Sequence, residues 1–315
     1  MKVRVLALAG GVGGAKLALG LSRTLSSGQV TVVANTGDDE VFHGLNVSPD
    51  LDTLMYTLAG LANPATGWGL AGDTFGALEM LKRYGADAWF GLGDRDLATH
   101  IERTRLLRQG WSLSEVTRHF CGKLGVKVDL VPMSDQPVRT TVKTSQGELH
   151  FQDYFVRLGC EPVIQDVRFQ GAEDARVSPG FERVLDSAQV IVYCPSNPVV
   201  SIGPILSLPG VRKRVASFKG PRIAVSPIVG EQALRGPAAK MLLELGEEVS
   251  CVGVARRLAD ICDVLVIDTQ DAHRATEVRA TGLEPVVLGT IMETDADKER
   301  LAAQVMRLAE ERLKV

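Results

Sequence analysis

The opening sixteen residues limit the possible folds more than any other stretch. VRVLALA (3–9) is a short apolar run rich in Val and Leu. Gly10-Gly11-Val12-Gly13-Gly14-Ala15-Lys16 follows it directly, and LALGLSRTL from Leu17 has the spacing of an amphipathic helix. A buried parallel strand, a glycine turn and a helix N-terminus make an anion site. The glycines let backbone amides approach phosphate oxygens, the helix dipole adds partial positive charge, and Lys16 can add a full one. The stretch is not a Walker A loop, since no Gly-Lys-Ser/Thr follows at the required spacing. It also misses G-x-G-x-x-G, because Lys16 stands at the last position. Phosphate or diphosphate binding through Gly11, Gly13 and Gly14 is therefore expected, and nicotinamide dinucleotide binding is not. The competing reading is a tight turn that needs glycine for packing.

At 315 residues the chain can bury a large core in one or two domains. A net charge of −3, with no basic, aromatic-interleaved stripe, argues against nucleic acid or a membrane surface as partner. The five cysteines are scattered and none pair at C-x-x-C spacing, which fits reduced thiols in a cytoplasm. No signal peptide is read at the N-terminus, and no run approaches membrane-helix length.

A second buried strand (30–34) ends at Asn35-Thr36-Gly37-Asp38-Asp39. Polar residues at such a strand end face the ligand-bearing edge of a parallel sheet, where Asn35, Asp38 or Asp39 can hold a ribose or a cation. In Ser48-Pro49-Asp50-Leu51-Asp52-Thr53, Asp50 can cap a helix. Two carboxylates near a phosphate turn also suit Mg²⁺ and its preference for oxygen. Residues 67–127 read as mainly helical: Asp73 caps a helix to Tyr84, Asp96 opens one to Gln109, and Ser112 with Glu115 forms a capping box. Between the first two lies Leu92-Gly93-Asp94-Arg95-Asp96-Leu97-Ala98-Thr99-His100, dense in ionisable and hydrogen-bonding groups. Segments 128–131, 138–143 and 148–152 read as strands, the last two as a hairpin. Parallel strands return at 190–194, ending in Pro195-Ser196-Asn197-Pro198, at 222–225, ending at Ser226, and at 264–267 and 286–288. The last helix is expected over Asp295–Leu313.

Strand–helix alternation at both ends implies an α/β fold: a Rossmann-like, doubly wound, mostly parallel sheet in one catalytic unit. A mainly helical insert carrying the β-hairpin, roughly 51–165, would overhang the sheet's carboxyl edge and close a cleft as a lid.

AGGVGGAKL, NTGDDEVFHGLNVSPDLDT, WGLAGDTF, LGDRDLATHIERT, PMSD, HFQDYFVR, PSNPVVSIGPILSLPG, SPIVG and RGPAAK occur in the order and spacing of one family. Together they resemble the 2-phospho-L-lactate transferases (CofD, or FbiA in actinobacteria). The resemblance implies a Mg²⁺-dependent reaction in the biosynthesis of coenzyme F-420, carried out by a homodimer. A GDP-linked phosphorylated three-carbon acid, lactyl or enolpyruvyl, is passed to the terminal ribityl hydroxyl of Fo (7,8-didemethyl-8-hydroxy-5-deazariboflavin), and GMP leaves. Carried onto this sequence, Gly11, Gly13, Gly14 and Lys16 hold donor phosphate, and Asn35, Ser196 and Asn197 contact ribose and guanine. Asp50 and Asp52 bind the metal and orient or deprotonate the acceptor, whose pocket also takes Thr53, Asp94, Thr99 and His100. Family members carry Lys, Arg or Glu just before this Leu-Gly-Asp. Here Gly91 stands there, so a cationic contact with Fo is either absent or supplied from elsewhere, by Arg95 or Arg103. The runner-up reading is a nucleotide-sugar-binding regulator of the gluconeogenesis-factor type, which would ignore Fo in a fluorescence titration.

Overall fold

A computed structural model describes residues 3–233 and 236–314. Its elements begin with β1 (Val5–Ala9), α1 (Gly11–Thr24) and β2 (Val30–Ala34). A small hairpin of β3 (Glu40–Phe42) and β4 (Leu45–Val47) follows. Four helices come next, α2 (Pro49–Leu58), α3 (Gly76–Arg83), α4 (Asp96–Arg108) and α5 (Leu113–Lys123), and then β5 (Asp129–Pro132). The middle of the chain holds β6 (Arg139–Thr144), β7 (Gly147–His150), β8 (Ile164–Gln170), α6 (Pro179–Ser187), β9 (Val190–Tyr193), α7 (Ile202–Ser207), α8 (Val211–Ala216) and β10 (Arg222–Val225). The last third holds β11 (Ile228–Val229), β12 (Gln232–Ala233), α9 (Ala238–Glu244), α10 (Cys251–Leu258), β13 (Val264–Asp268), α11 (Ala275–Ala280), β14 (Glu284–Leu288) and α12 (Asp295–Leu313).

Seven strands form one parallel sheet in the order β14-β13-β10-β9-β1-β2-β5. The central strand β1 is buried throughout because both faces of the sheet are covered. Leu6 and Leu8 join the layer that contains β6–β8 and α6–α10. Val5, Ala7 and Ala9 join the opposite layer, built on α1, α2 and α12. This is the doubly wound α/β fold that the alternation implies. The chain leaves β1 toward β2 and β5, then resumes at β9 on the other side of β1. The strand order therefore reverses between β1 and β9, which opens the crevice where such sheets take ligands.

Three local expectations change. Strand β5 falls inside the 51–165 span read as an insert, yet it pairs with β2 as an edge of the central sheet. The span is thus two excursions, 35–128 and 133–189, and four residues of DLVP give no local sign of a partner a hundred residues away. The β6–β7 hairpin gains a third antiparallel strand, β8. The β3–β4 hairpin also escaped notice. Its turn, His43-Gly44, has both residues at positive φ (51° and 76°), and His is an uncommon residue there. No described helix is long and apolar enough to cross a membrane. All five cysteines are free thiols. Arg235, which opens the RGPAAK stretch, lies outside the described residues.

Candidate active site

The glycine turn is pressed against the end of β9. The Gly10 N–H donates to Ser196 Oγ (3.0 Å), and the same hydroxyl donates back to Gly10 O (2.8 Å). A Cβ on Gly13 would lie 2.3 Å from the Pro195 carbonyl oxygen, and one on Gly14 2.4 Å from Ser196 Oγ. Packing alone therefore requires these glycines. Gly11, at φ +63°, turns its N–H onto Asp50 Oδ1 at 2.7 Å. The positive end of the α1 dipole thus already faces a carboxylate, which α2 supplies. Lys16 donates to the Met292 carbonyl (2.7 Å), on the loop after β14. Asn197 Oδ1 accepts from the Val199 N–H (2.9 Å) and shapes the loop leaving β9.

Helix α2 explains why Asp50 and Asp52 do different things. Side chains two positions apart on a helix point in nearly opposite directions. Asp50 faces the sheet edge, where the two amide hydrogens of the fully buried Asn35 are shared among Asp50 Oδ2 (2.9 Å), Asp38 Oδ1 (3.2 Å) and the Val200 carbonyl (3.2 Å). Gln152 donates to the Asp38 carbonyl (3.2 Å). Asp39, the next residue, accepts from Ser48 Oγ (2.7 Å), while its Oδ1 is buried without a partner. Among the described residues no lysine or arginine forms an ion pair with Asp38, Asp39 or Asp50. Burial, followed by the charges of Asp50 and Asp39, raises the Asp38 pKa well above the usual carboxylate range. Burial likewise pushes Asp39 up to about 7, against the Ser48 hydrogen bond. Asp50 is raised by burial, though hydrogen bonds from Asn35, Gly11 and Ser201 pull the other way.

Asp52 faces α4. Its two oxygens accept from the two terminal nitrogens of Arg103, whose side chain is 1 % exposed. His100 packs into the same network, with Nε2 at 3.2 Å from Asp96 Oδ2 and Nδ1 at 3.8 Å from Asp52 Oδ2. Tyr56 OH lies 2.6 Å from Asp96 Oδ1 and 2.7 Å from Thr99 Oγ1. Burial alone would raise the Asp96 pKa, but the hydrogen bond and charge of His100 outweigh it and hold it low.

Several expected roles shift accordingly. The expectation that Asp50 and Asp52 share one metal meets the helix period, which sends them to different neighbours. Asp52, Thr99, His100 and Arg103 hold α2 to α4. Arg103, committed to Asp52, is not a spare cation for the acceptor. Asn35 uses its amide hydrogens inside the protein and so orients Asp38 and Asp50. Thr53 is buried one turn after Asp50 on the same side of α2.

The family model described as 2-phospho-L-lactate transferase CofD matches residues 5–312. The chain belongs to the CofD family. A phosphoenolpyruvate transferase of Streptomyces griseus is 44% identical over 316 residues, covering 98% of this chain and 99% of that one. A 2-phospho-L-lactate transferase of Methanosarcina mazei is 37% identical over 302 residues, covering 96% and 99% respectively. Among solved structures, a Bacillus halodurans protein of the UPF0052 family superposes with a TM-score of 0.64. It is 14% identical, with 97% of this chain and 99% of that chain covered, and shares the fold.

One feature of this CofD-family chain reverses a sequence expectation. Asp73 does not cap the helix that follows it. Its carboxylate accepts from the N–H groups of Arg95 (2.9 Å) and Asp96 (3.0 Å) at the start of α4. Asp94 in turn accepts from the N–H groups of Gly76 (3.0 Å) and Ala77 (2.8 Å) at the start of α3, and from Thr74 Oγ1 (2.5 Å). The two motifs GDTF and LGDRD cap each other's helices, which explains their acidic residues without a ligand. Each cap lies about twenty residues from its helix in sequence, beyond the reach of a local capping rule.

Proposed function

We propose that this chain transfers a phosphorylated three-carbon acid, lactyl or enolpyruvyl phosphate, from a GDP-linked donor to the ribityl hydroxyl of Fo in coenzyme F-420 biosynthesis. The acceptor oxygen forms a bond to the phosphorus that carries the acid. The bridging P–O bond of the diphosphate breaks, and GMP leaves with the electron pair. No covalent intermediate on the protein is needed. The observation that carries the reading is the position of Asp50, where the first turn of α1, the end of β2 and the start of α7 meet.

Mg²⁺ fits this position. Asp38 and Asp50 are buried carboxylates joined by one amide group and lacking a basic side chain between them. Their charges repel each other and would repel a diphosphate approaching the α1 N-terminus. Among the described residues no three His, Cys, Asp or Glu side chains converge to hold a metal by themselves. Mg²⁺ characteristically takes one or two carboxylates and completes its shell with phosphate and water oxygens. Asp38 and Asp50 would hold the ion. Bound there, it would neutralise charge between these carboxylates and the transferring phosphoryl group.

The protein's own groups then have distinct tasks. Asn35 fixes the separation of Asp38 and Asp50, and the Asp52–Arg103 pair fixes the rotation of α2 that aims Asp50 at Gly11. Ser196 and Asn197 form the donor-side wall at the β1–β9 crevice, and Thr53 lies on the acceptor side. The hydroxyl proton of the acceptor is released to solvent as its oxygen bonds to phosphorus, so neither carboxylate that would hold the ion has to take it up. Incubation with Fo and the lactyl and enolpyruvyl donors in competition, followed by mass spectrometry, tests the reading. It requires Mg²⁺-dependent conversion of Fo with release of GMP. Fo left unconverted by every donor in the presence of Mg²⁺ would refute it.

A further inference from the structure

The WGLAGDTF motif has a first residue with no task so far. Trp68 belongs to the loop between α2 and α3, and that loop is internally braced. Asn63 N–H donates to the Gly69 carbonyl (3.0 Å), Gly67 N–H to the Asn63 carbonyl (2.8 Å) and Ala71 N–H to the Leu61 carbonyl (2.9 Å). Thr66 Oγ1 donates to the Trp68 carbonyl (2.6 Å), and an antiparallel bridge joins Ala62 to Leu70. The loop is also seated on the glycine turn. Gly67 has φ +80°, and a Cβ there would lie 2.5 Å from Val12 Cγ1, in the first turn of α1. A braced loop touching the phosphate end of the site thus presents Trp68, a residue that is 49% exposed.

The other border of the indole is Gly91, where a Cβ would stand 3.8 Å from Trp68 Cη2. The backbone there is pinned by its neighbours: Phe90 stacks on Phe42 at 4.1 Å between ring centroids, and Leu92 is buried. The missing side chain at Gly91 therefore leaves space beside a fixed aromatic surface. A large aromatic residue normally buries most of its area. Held rigid and half open beside a substrate crevice, it offers a face on which a planar ring can stack.

We propose that Trp68, with Gly91 beside it, forms a slot that takes the planar tricyclic ring of the acceptor and selects it. This rests on the transferase reading given above. The loop carrying Trp68 sits on Val12 and borders Gly91, just before Leu-Gly-Asp, whereas Gly13 and Gly14 of the same turn pack on Pro195 and Ser196 after β9. That favours the acceptor ring over the guanine of the donor. Stacking binds a flat heterocycle without reading its edge, and the chain then needs no cation at Gly91 to hold it.

The test is steady-state kinetics with Fo and calorimetry with GDP·Mg²⁺ on the full chain carrying Trp68→Ala, Trp68→Phe or Gly91→Leu. Trp68→Ala should raise the KM for Fo about tenfold, the scale of losing one stacked ring, with a much smaller change in kcat. Trp68→Phe should restore most of the affinity, and Gly91→Leu should raise KM like Trp68→Ala by filling the slot. GDP affinity should be unchanged in all three, which also shows that they are folded. An unchanged KM for Fo in both Trp68→Ala and Gly91→Leu would overturn the proposal, as would a selective loss of GDP affinity, which would place guanine on the indole. Wild-type protein that fails to bind Fo in a fluorescence titration would overturn the transferase reading itself. That outcome is distinguishable because it needs no variant.

Discussion

Asp50 and Asp52 occupy the same turn of α2, yet their surroundings are opposite. On one face, Asp50 and Asp38 meet the Asn35 amide and Asp50 the Gly11 N–H, with no arginine or lysine ion-paired to either among the described residues. On the other, Asp52 receives a bidentate guanidinium, and a histidine and a tyrosine fill the remaining space. Burial costs both carboxylates their hydration. The Asp52 side offsets that cost within the protein. The Asp50 side does not, and its raised pKa values record the deficit. A carboxylate with its own internal counter-ion needs nothing further, and under the proposed function the one without would receive an external cation. On the proposed function, this difference divides a substrate-facing side from a structural side on a single helix.

The largest effect should come from Asp50→Asn. The neutral amide keeps the shape but not the charge, so transfer to Fo should fall by more than about 1,000-fold, the scale of several kcal/mol of lost charge stabilisation. The urea midpoint of the ion-free protein should hold or rise, since one repelling charge is gone. Full activity in that variant would merge the two faces into one structural role. Arg103→Ala should do the reverse. It leaves Asp52 as an uncompensated buried charge and should cost about 3–5 kcal/mol by urea unfolding. Replacing both partners with apolar residues should cost much less, and a large loss in that double variant would contradict the pairing argument.

pH should sharpen the contrast. Burial pushes the Asp39 carboxyl up to about 7 in the folded protein, against about 3.9 in an unfolded chain. Between those values the folded state binds more protons than the unfolded state, so stability falls as pH rises. Ion-free protein should therefore lose stability from about pH 4 to about pH 7, as followed by urea melts. Asp39→Asn should reduce that slope, the remainder coming from Asp38 and Asp50, and a slope identical in the variant would detach Asp39 from it. The smallest effect concerns the crossed caps. Asp73→Ala or Asp94→Ala should each cost about 1 kcal/mol of stability, in line with other lost caps. Thermal melts showing no loss in either would remove the cross-capping from the account.

Local chemistry in the sequence was enough to read the first strand, the strand ends that line the crevice and the terminal helix. In each of these the pattern and the partner lie within a few residues. Helix α1, by contrast, begins at Gly11 and not at Leu17, so that the glycine run is its first turns. The capping box at Ser112 and Glu115 forms as its spacing implies. The readings that shifted all depended on distant partners. β5 needs β2, Asp73 and Asp94 need each other's helices, and the mates of Asp52 and Asp50 are Arg103 and Asn35. Spacing did show that Asp50 and Asp52 lie on one helix, and its period already implied that they diverge. The Asp38–Asp39 pair at the end of β2 carried the right residue types for a cation. Burial, which no residue string displays, is what separates it from an ordinary solvated turn.

Mn²⁺ in place of Mg²⁺ gives the most direct test of the claim that the Asp38–Asp50 face holds the ion that receives the donor diphosphate. Electron paramagnetic resonance should show Mn²⁺ taken up by the wild-type chain together with GDP, and uptake abolished by Asp38→Asn or Asp50→Asn. Mn²⁺·GDP bound with wild-type affinity by both variants would contradict the account.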